Sequence, residues 1–232
     1  MLGSLLNLAK RDSFDLDKCL ANGACSKVIS QQSSSWPELV LKEDRFIVFD
    51  TETTGLNCHK GDEIISIGAV VIEEGRLTEN IFTSLVNPKR NIPPIITELT
   101  GIDNDMVDGS PEIMEVLDKF LEFTGFSVLI AHHAQFDLGF INKKLCKYCG
   151  HMLNMPVIDT YSLSHLLFPY AHDRSLDFLA HYYDIPLDGR HTALGDAIIT
   201  AQLFLKMLNY LEKRGIKTTT QLLSNFRFNR LF

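Results

Sequence analysis

The amino-acid sequence predicts a mixed α/β domain, in which a five-stranded sheet carries helices on both faces. Two patterns support this fold class. Three consecutive strand segments joined by short turns are typical of an antiparallel meander, and the chain then alternates apolar strand segments with segments of helical periodicity. Together they fit one mixed sheet whose first three strands are antiparallel.

The predicted strands are apolar runs bounded by turn residues. They cover residues 45–50, 63–75, 77–86, 127–132 and 156–160. Gly75 marks the turn between the second and the third, which is short enough for a hairpin.

Apolar residues at helical spacing, together with capping residues, predict the helices. These helices cover residues 111–123, 136–149, 160–168, 175–183 and 192–214. Pro111 and Ser175 open two of them, and the longest begins near Thr192 and is stopped by Gly215. The segment after Pro88 contains two prolines and polar turn residues, so we expect it to be irregular.

The chain is long enough for one large domain plus an extension, with 232 residues of which 45% are hydrophobic and 22% are charged. We expect an N-terminal extension and linker at 1–43, the main domain at 44–215 and a C-terminal tail at 216–232. Leucines open the extension, and phenylalanines lie in the basic tail. Each set either packs on the domain or docks a partner.

The overall charge and the cysteines limit the classes of function. A net charge of -7 and a pI near 5.6 exclude a global basic field, so any nucleic acid must bind locally or with the help of metal ions. Five unevenly spaced cysteines favour reduced thiols in a cytoplasmic protein. Cys146 and Cys149 form a CxxC without a second pair, which favours buried helix cysteines over a zinc site. No apolar run is long enough to cross a membrane.

Asp50 and Glu52 end the first predicted strand in the segment FIVFDTETTGL. Side chains at i and i+2 leave the same face of a strand, so the two carboxylates project together. Two such charges at the edge of a core need a cation or a proton, because burying them unpaired costs several kcal/mol. The alternative is a polar strand end that runs into a solvated turn.

Three further residues fall where such a pair would need them. Asp137 opens the helix that follows the fourth strand, Asp196 lies in the first turns of the longest helix, and His191 lies on the connection into that helix. Taken singly, Asp137 could be an ordinary helix-start aspartate and His191 a surface histidine.

Together these side chains predict a metal-dependent hydrolytic site. Mg²⁺ and Mn²⁺ prefer oxygen ligands. Two such ions about 3.5–4 Å apart can activate water and stabilise the leaving oxygen of a phosphoryl displacement. His191 is suited to accept a proton at neutral pH. The predicted chemistry is phosphodiester hydrolysis.

Three motifs carry a resemblance to a known family. FDTETTGL, AHHAQFDLGF and HTALGDA, within residues 45–211, resemble those of the DEDDh 3′-5′ exonucleases. This family has a ribonuclease H-like fold and includes the proofreading epsilon subunit of bacterial DNA polymerase III. The resemblance implies that Asp50, Glu52, Asp137 and Asp196 hold two Mg²⁺ or Mn²⁺ ions, with Asp50 bridging them, and that His191 is the general base.

The resemblance also implies a pocket for the 3′-terminal nucleotide. Its lining would be Thr53, Leu56, Leu99, Thr100, His132 and Phe136. One position departs from the family pattern, because His133 stands where the second motif commonly has asparagine. An asparagine amide donates and accepts at once, whereas a neutral histidine does so only in the right tautomer.

We therefore expect a 3′-5′ exonuclease that acts on single-stranded or frayed DNA in a proofreading-like manner and releases nucleoside 5′-monophosphates. An RNA-trimming exonuclease is the nearer alternative, and a non-catalytic adaptor that docks a polymerase is the more distant one. A polymerase or another replication or repair protein would bind through the N-terminal extension or the C-terminal tail. Candidate phosphate contacts, whose alternative is ordinary solvated surface, are Lys143, Lys144, Lys147, Arg174 and Arg190.

Overall fold

Five strands form one mixed sheet at the centre of the computed structural model. They are β1 Phe46–Thr53, β2 Ile64–Glu73, β3 Arg76–Leu85, β4 Val128–Ala131 and β5 Val157–Asp159. Their order is β3-β2-β1-β4-β5, with β1–β2 and β2–β3 antiparallel and β1–β4 and β4–β5 parallel. The predicted mixed sheet with an antiparallel meander is confirmed.

The structure describes residues 23–24, 26–27 and 38–228, without the side chains of 223 and 225–228. The leucines that open the extension, most of the linker and the last residues of the basic tail lie outside these ranges. Within the described part of the chain, no helix is long and apolar enough to cross a bilayer.

The helices lie between and after the strands. They are α1 Pro94–Thr100, α2 Asn104–Val107, α3 Ile113–Thr124, α4 Ala134–Cys149, α5 Thr160–Leu167, α6 Leu176–Tyr182, α7 Ala193–Lys213 and α8 Thr219–Phe228, with a 3-10 turn at Cys58–Lys60. The predicted caps at Ser175, Thr192 and Gly215 are confirmed, whereas α3 is capped by Glu112 and begins two residues after Pro111, which was expected to open it. The hydroxyls of Ser175 and Thr192 accept from backbone N–H groups at the starts of α6 and α7, and Gly215 has φ 74°.

The expectation of an irregular segment after Pro88 is wrong, because α1 and α2 lie there. Pro94 occupies the first turn of α1, where its missing N–H would have no helical partner in any case. Gly101 then ends α1 with φ 73°, and the Asp103 side chain caps α2 by accepting from Met106 N at 2.9 Å.

Alternation along β1 assigns its side chains to two cores. Phe46 and Val48 belong to the cluster that contains α7, and Phe46 lies 5.8 Å from the ring of Phe204. Phe49 belongs to the opposite cluster, which contains α3 and α4, and its ring lies 5.6 Å from that of Phe120. The two faces of β1 therefore look toward different helices.

Gly68 lets α7 approach the sheet closely. This residue of β2 lies opposite Asp50 of β1. A Cβ at Gly68 would lie 2.2 Å from Leu194 N and 2.3 Å from the carbonyl carbon of Ala193, so a side chain has no room there. The first turn of α7 thus lies directly against β2, beside the end of β1.

The segments before β1 and after α7 meet each other. Leu41 N donates to Lys217 O at 2.8 Å, and Thr219 N donates to Leu39 O at 2.9 Å. Val40 and Thr218 form an isolated β-bridge. The chain therefore enters and leaves the sheet domain at one place.

Part of the N-terminal extension packs on the domain. Ala24 is buried in the cluster that contains Cys149, and Lys27 Nζ lies 2.6 Å from Asp118 Oδ1 of α3.

Of the CxxC pair, Cys149 is buried as expected and Cys146 is exposed. The expectation of reduced thiols is wrong for Cys149, which is disulfide-bonded. Composition alone could not place the extension beside α4.

Replacing Gly68 with alanine is expected to lower the free energy of unfolding by about 1–3 kcal/mol, because the new methyl group would overlap the backbone of α7. Urea unfolding measures this loss. The matched control is Gly139→Ala in α4, where the added Cβ would meet only Cys58 Sγ, at 3.7 Å. A Gly68→Ala protein as stable as the wild type would contradict the close approach.

Candidate active site

The two carboxylates of β1 project toward α7. Asp50 and Glu52 continue the face of β1 that carries Phe46 and Val48, and this face packs against α7. The register of β1 with β2 shifts between Glu52 and Thr53, where the regular pairing ends. The pair therefore lies at the end of a buried strand, as the sequence predicts.

Asp196 joins this pair from the first turn of α7. The Thr192 hydroxyl caps the helix by accepting from Gly195 N at 3.1 Å, which fixes the turn that carries Asp196. Carboxylate oxygens of Asp50, Glu52 and Asp196 all lie within 4.8 Å of one another. An all-oxygen set of this size suits a hard divalent cation such as Mg²⁺ or Mn²⁺.

Asp137 approaches β1 from the opposite face of the sheet. Thr51, which alternates with Asp50 and Glu52, points toward α4, and Asp137 Oδ1 accepts from Thr51 N at 3.0 Å and Thr51 Oγ1 at 2.6 Å. Asp137 is only 2% exposed. The structure thus ties the fourth predicted ligand to β1 without placing it in the group of three.

Burial raises the pKa values of these carboxyl groups. It raises the pKa of Asp50 well above its usual range, with further contributions from the charges of Asp137, Asp196 and Glu52. Burial, followed by the charge of Asp196, raises the pKa of Glu52 to about 8. Burial also raises the pKa of Asp137 to about 7, against the lowering effect of the Thr51 hydrogen bonds. Unless cations neutralise them, these groups cannot all be ionised at neutral pH.

Arg190 connects this cluster to α6. Its Nε and Nη2 donate to Asp177 Oδ1 and Oδ2 at 2.9 and 2.7 Å, and its Nη1 contacts Asp196 Oδ2. Burial raises the pKa of Asp196, and the charge of Arg190 opposes this rise. Arg190 therefore supplies positive charge to a cluster that would otherwise be wholly acidic.

His191 lies beside the cluster, on the connection into α7. Its N–H points toward Asp196 Oδ1 at 3.3 Å, and its Nδ1 lies 3.2 Å from Arg190 Nη1. His191 has φ 65°, an uncommon conformation for a residue with a side chain. Because arginine only donates, a hydrogen bond between these two atoms requires Nδ1 to be the acceptor.

A cavity of about 480 Å³ opens above Asp50 and Asp196. Its lining includes His132, His133, Tyr161, Arg174 and Arg190. This volume lies within the range of ligand-binding pockets.

His132 is the one predicted nucleotide-binding residue in the lining of this cavity, among the residues that the structure describes. Its Nδ1 lies 2.9 Å from Thr160 Oγ1, and its Nε2 lies 3.0 Å from Arg174 O. Burial lowers the pKa of His132 to about 4, so the ring is neutral at physiological pH. Both ring nitrogens are therefore occupied by contacts within the protein.

The other predicted nucleotide-binding residues lie on other elements. Leu56 and Leu99 are large apolar side chains that are 85% and 50% exposed. The hydroxyls of Thr53 and Thr100 donate to the backbone carbonyls of Gly55 and Ile96, respectively. Phe136 packs against Phe140 with ring centroids 5.1 Å apart.

The predicted phosphate contacts differ in their surroundings. Lys143 and Lys144 form ion pairs with Glu63, and Lys147 lies over the ring of Tyr148. Arg174 and Arg190 line the cavity, which favours these two over the lysines.

Sequence reasoning missed Asp159, which holds the loop of the second motif. Asp159 Oδ1 accepts from His133 N at 2.9 Å and from Tyr161 N at 3.1 Å, and Oδ2 accepts from Ser162 Oγ at 2.7 Å. An aspartate between a strand and a helix is a capping signal, which could have identified its local role but not its bond to His133.

The comparison with protein families decides between the possible meanings of this acidic cluster. The RNase_T family, described as exonuclease, matches residues 47–204. The chain belongs to this exonuclease family. Asp50, Glu52, Asp137, His191 and Asp196 all lie within the matched region. Membership of the exonuclease family implies divalent metal ions, and the oxygen ligands found at the cluster fit them.

Relatives in the exonuclease family include DNA polymerase III proteins. The PolC-type protein of Clostridium perfringens is 43% identical over 194 residues, covering 82% of this chain and 13% of that protein. The subunit epsilon-like protein of Rhodobacter capsulatus is 44% identical, covering 84% and 28%. The subunit epsilon of Aquifex aeolicus is 40% identical, covering 74% and 84%. The chain thus spans a small fraction of the PolC-type relative and most of the Aquifex subunit.

Solved structures of exonucleases share the fold. Exonuclease X in complex with 5′ overhanging duplex DNA has a TM-score of 0.57 and 27% identity, covering 71% of this chain and 92% of that one. The nuclease domain of 3′hExo, a DEDDh family member bound to rAMP, has a TM-score of 0.64 and 21% identity, covering 72% and 92%. The predicted DEDDh resemblance and ribonuclease H-like fold are confirmed.

The metal-free protein is expected to lose stability as the pH rises from about 6.5 to 8.5. A carboxyl group whose pKa is raised in the folded state stabilises the fold below its unfolded pKa, and this contribution is lost as the pH rises through the folded pKa. Glu52, with a pKa of about 8, and Asp137, with a pKa of about 7, titrate in or near this window. Melting temperatures measured in EDTA across the window test the expectation.

Adding Mg²⁺ or Mn²⁺ should remove most of this loss, because the cation favours the ionised carboxylates. Glu52→Gln should flatten the EDTA profile, and Glu79→Gln, an exposed carboxylate of β3, is the matched control. His132 does not interfere, because its lowered pKa affects stability only below about pH 6.5. A wild-type melting temperature that rises across the window would contradict the assignment.

Proposed function

We propose that this chain is a 3′-5′ exonuclease that hydrolyses the terminal phosphodiester of single-stranded or frayed DNA. The observation that carries the proposal is the group of Asp50, Glu52 and Asp196, whose oxygens lie within 4.8 Å of one another. Asp137 is bonded to the same strand, and the chain belongs to the exonuclease family. Water attacks the phosphorus, the bond to the 3′ oxygen of the preceding nucleotide breaks, and a nucleoside 5′-monophosphate leaves.

The four carboxylates would hold two divalent ions, with Asp50 shared between them. When bound, Mg²⁺ or Mn²⁺ supplies positive charge that activates water and stabilises the leaving oxygen. The oxygen-only ligand set and the raised carboxyl pKa values support this assignment, because both indicate a centre that needs cations. Thr51 positions Asp137 through two hydrogen bonds.

His191 would take the proton from the attacking water. Its Nδ1 lies 3.2 Å from Arg190 Nη1 in this structure, so Nδ1 can take a proton only after Arg190 has moved away from it. Arg190 remains tethered through Asp177. After moving away from His191, Arg190 could contact a substrate phosphate through Nη1, because bound cations would neutralise its present partner Asp196.

DNA is the favoured substrate. The relatives at 40–44% identity carry the name DNA polymerase III. The neighbour bound to rAMP and the exonuclease that recognises a histone mRNA stem-loop are 21% and 19% identical and share only the fold. All five catalytic positions are filled, which argues against an adaptor without activity.

The pocket for the 3′-terminal nucleotide would use exposed apolar surface. Leu56 and Leu99 present that surface, and bases pack well on apolar and aromatic side chains whatever their sequence. Thr53 and Thr100 would shape the pocket through backbone and methyl groups, because their hydroxyls already bind carbonyls.

Association with a polymerase in the cytoplasm is part of the proposal. The names of the relatives support it. The N-terminal extension and the C-terminal tail remain the proposed contacts. Comigration of the full chain with a DNA polymerase III catalytic subunit in gel filtration tests this association, and separate elution at micromolar concentration would contradict it.

The proposed activity predicts stepwise shortening of a 5′-labelled DNA strand from its 3′ end with Mg²⁺ or Mn²⁺. Single-stranded DNA and the mismatched end of a duplex should be degraded faster than RNA of the same sequence or a fully paired duplex. Asp50→Asn should reduce the rate by more than about 10²-fold, because even changes in residues that only hydrogen-bond to metal ligands cost about 10–100-fold.

Asp105→Asn, which changes an exposed carboxyl group on α2, is the matched control and should keep the wild-type rate. Melting curves in EDTA verify that Asp50→Asn is folded. A wild-type rate for Asp50→Asn would refute the assigned centre. Faster release of nucleotides from RNA than from DNA would instead favour the RNA-trimming alternative.

His191→Gln is expected to lower kcat by about 10²–10⁴-fold, the usual contribution of a general base. The affinity for Mn²⁺, measured by titration calorimetry, should stay at the wild-type value because His191 is not a proposed ligand. His181→Gln, an exposed histidine on α6, is the control. Loss of Mn²⁺ binding in His191→Gln would overturn the role of base.

A further inference from the structure

The cavity above Asp50 and Asp196 has an aromatic wall. The rings of His133 and Tyr161 stack with centroids 3.7 Å apart and an interplanar angle of 28°. Both line the cavity, and His133 is exposed. The ring of His165 lies 5.1 Å from that of Tyr161, at an interplanar angle of 71°.

Hydrogen bonds to Asp159 hold this wall in place. Asp159 Oδ1 accepts from the backbone N–H groups of both His133 and Tyr161, at 2.9 and 3.1 Å. One carboxylate oxygen therefore fixes the backbone beneath both rings, although they belong to different elements. Rigid aromatic surfaces bind ligands at a low cost in conformational entropy.

The wall lies apart from Leu56 and Leu99, two of the residues proposed for the 3′-terminal nucleotide, whereas His132, a third, lines the same cavity. Leu56 follows β1 and Leu99 lies on α1, and neither lines this cavity within the described part of the chain. Asp50 and Asp196 do line it. A strand whose scissile phosphate lies at these carboxylates has its terminal nucleotide on one side and its upstream nucleotides on the other.

Resting on the proposed function, we propose that His133 and Tyr161 form a stacking platform for a nucleobase upstream of the scissile phosphate. The ligand is an unpaired base. In a duplex both faces of a base are covered by its neighbours, whereas here one face must lie against the His133 ring. Arg174 and Arg190 line the same cavity and suit the phosphates that flank such a base. Stacking is tolerant of sequence, since every base has a π-face.

His133 has a backbone conformation that also suits asparagine. Its φ and ψ are 65° and 41°, in the left-handed region that histidine and asparagine adopt more readily than most residues. His133→Asn therefore removes the ring without straining the loop. The proposed stacking of a base therefore depends on the imidazole ring of His133, which asparagine lacks.

The test uses single-stranded DNA in which an abasic site replaces one of the four nucleotides nearest the 3′ end. With the wild-type chain, an abasic site at the second or third position should raise KM about 5- to 100-fold with little change in kcat. In His133→Asn, KM for unmodified DNA should already be raised, and the abasic site at that position should have no further effect.

His181→Gln, which changes an exposed histidine of α6 outside the cavity lining, is the control and should behave like the wild type. Equal abasic penalties in the wild type and in His133→Asn would overturn the proposal. So would a penalty confined to the first position.

A binding measurement separates this proposal from the proposed function. In the Asp50→Asn background with Mg²⁺, 2-aminopurine placed at the same position should be quenched on binding, and adding His133→Asn should remove most of the quenching. Quenching that is unaffected by His133→Asn would refute the platform. Absence of hydrolysis by the wild type would refute the exonuclease and leave this fluorescence result to decide on the platform.

Discussion

Repulsion between Asp50, Glu52 and Asp196 is the constraint on which the rest of this structure depends. Their oxygens lie within 4.8 Å of one another, and the surroundings exclude enough water to raise each pKa. Like charges at such distances require protons or cations. A fold that keeps these groups together loses stability at neutral pH unless cations neutralise them.

The surrounding structure holds the carboxylates against this repulsion from several directions. Gly68 lets α7 lie against the sheet, so that Asp196 reaches the end of β1. Thr51 binds Asp137 from the other face. Arg190 connects Asp196 to Asp177 on α6 and supplies charge that partly compensates the cluster. The contacts of Gly68 with α7 and of Thr51 with Asp137 join elements that are far apart in sequence, whereas those of Arg190 are local, so the arrangement of the centre depends on the packing of the sheet domain.

The sequence was sufficient for the features that depend on local patterns. Alternation placed Asp50 and Glu52 on one face of β1, and the caps at Ser175 and Thr192 located the starts of α6 and α7. The helix α1 was missed because a proline pair resembles a helix breaker, although Pro94 stands in the first turn, where proline is tolerated.

Features that depend on long-range contacts could not be predicted in this way. The bond between Thr51 and Asp137 joins residues 86 positions apart. Asp159 reaches back 26 positions to His133. The disulfide of Cys149 is another such case, since pairing requires knowledge of which segments lie next to α4. Motif recognition found the carboxylates, but the tertiary structure shows how they are held.

The pairing of the segments that flank the domain has a consequence for its use in larger proteins. The backbone of Leu41 bonds to that of Lys217, and the backbone of Leu39 bonds to that of Thr219, so the segments that enter and leave the domain lie side by side. One segment precedes the three sequence motifs and the other follows them. A unit with adjacent ends can be inserted into another polypeptide through a single surface point. A domain with this architecture can therefore stand alone or be inserted into a longer polypeptide, without rearranging the sheet that carries its carboxylates.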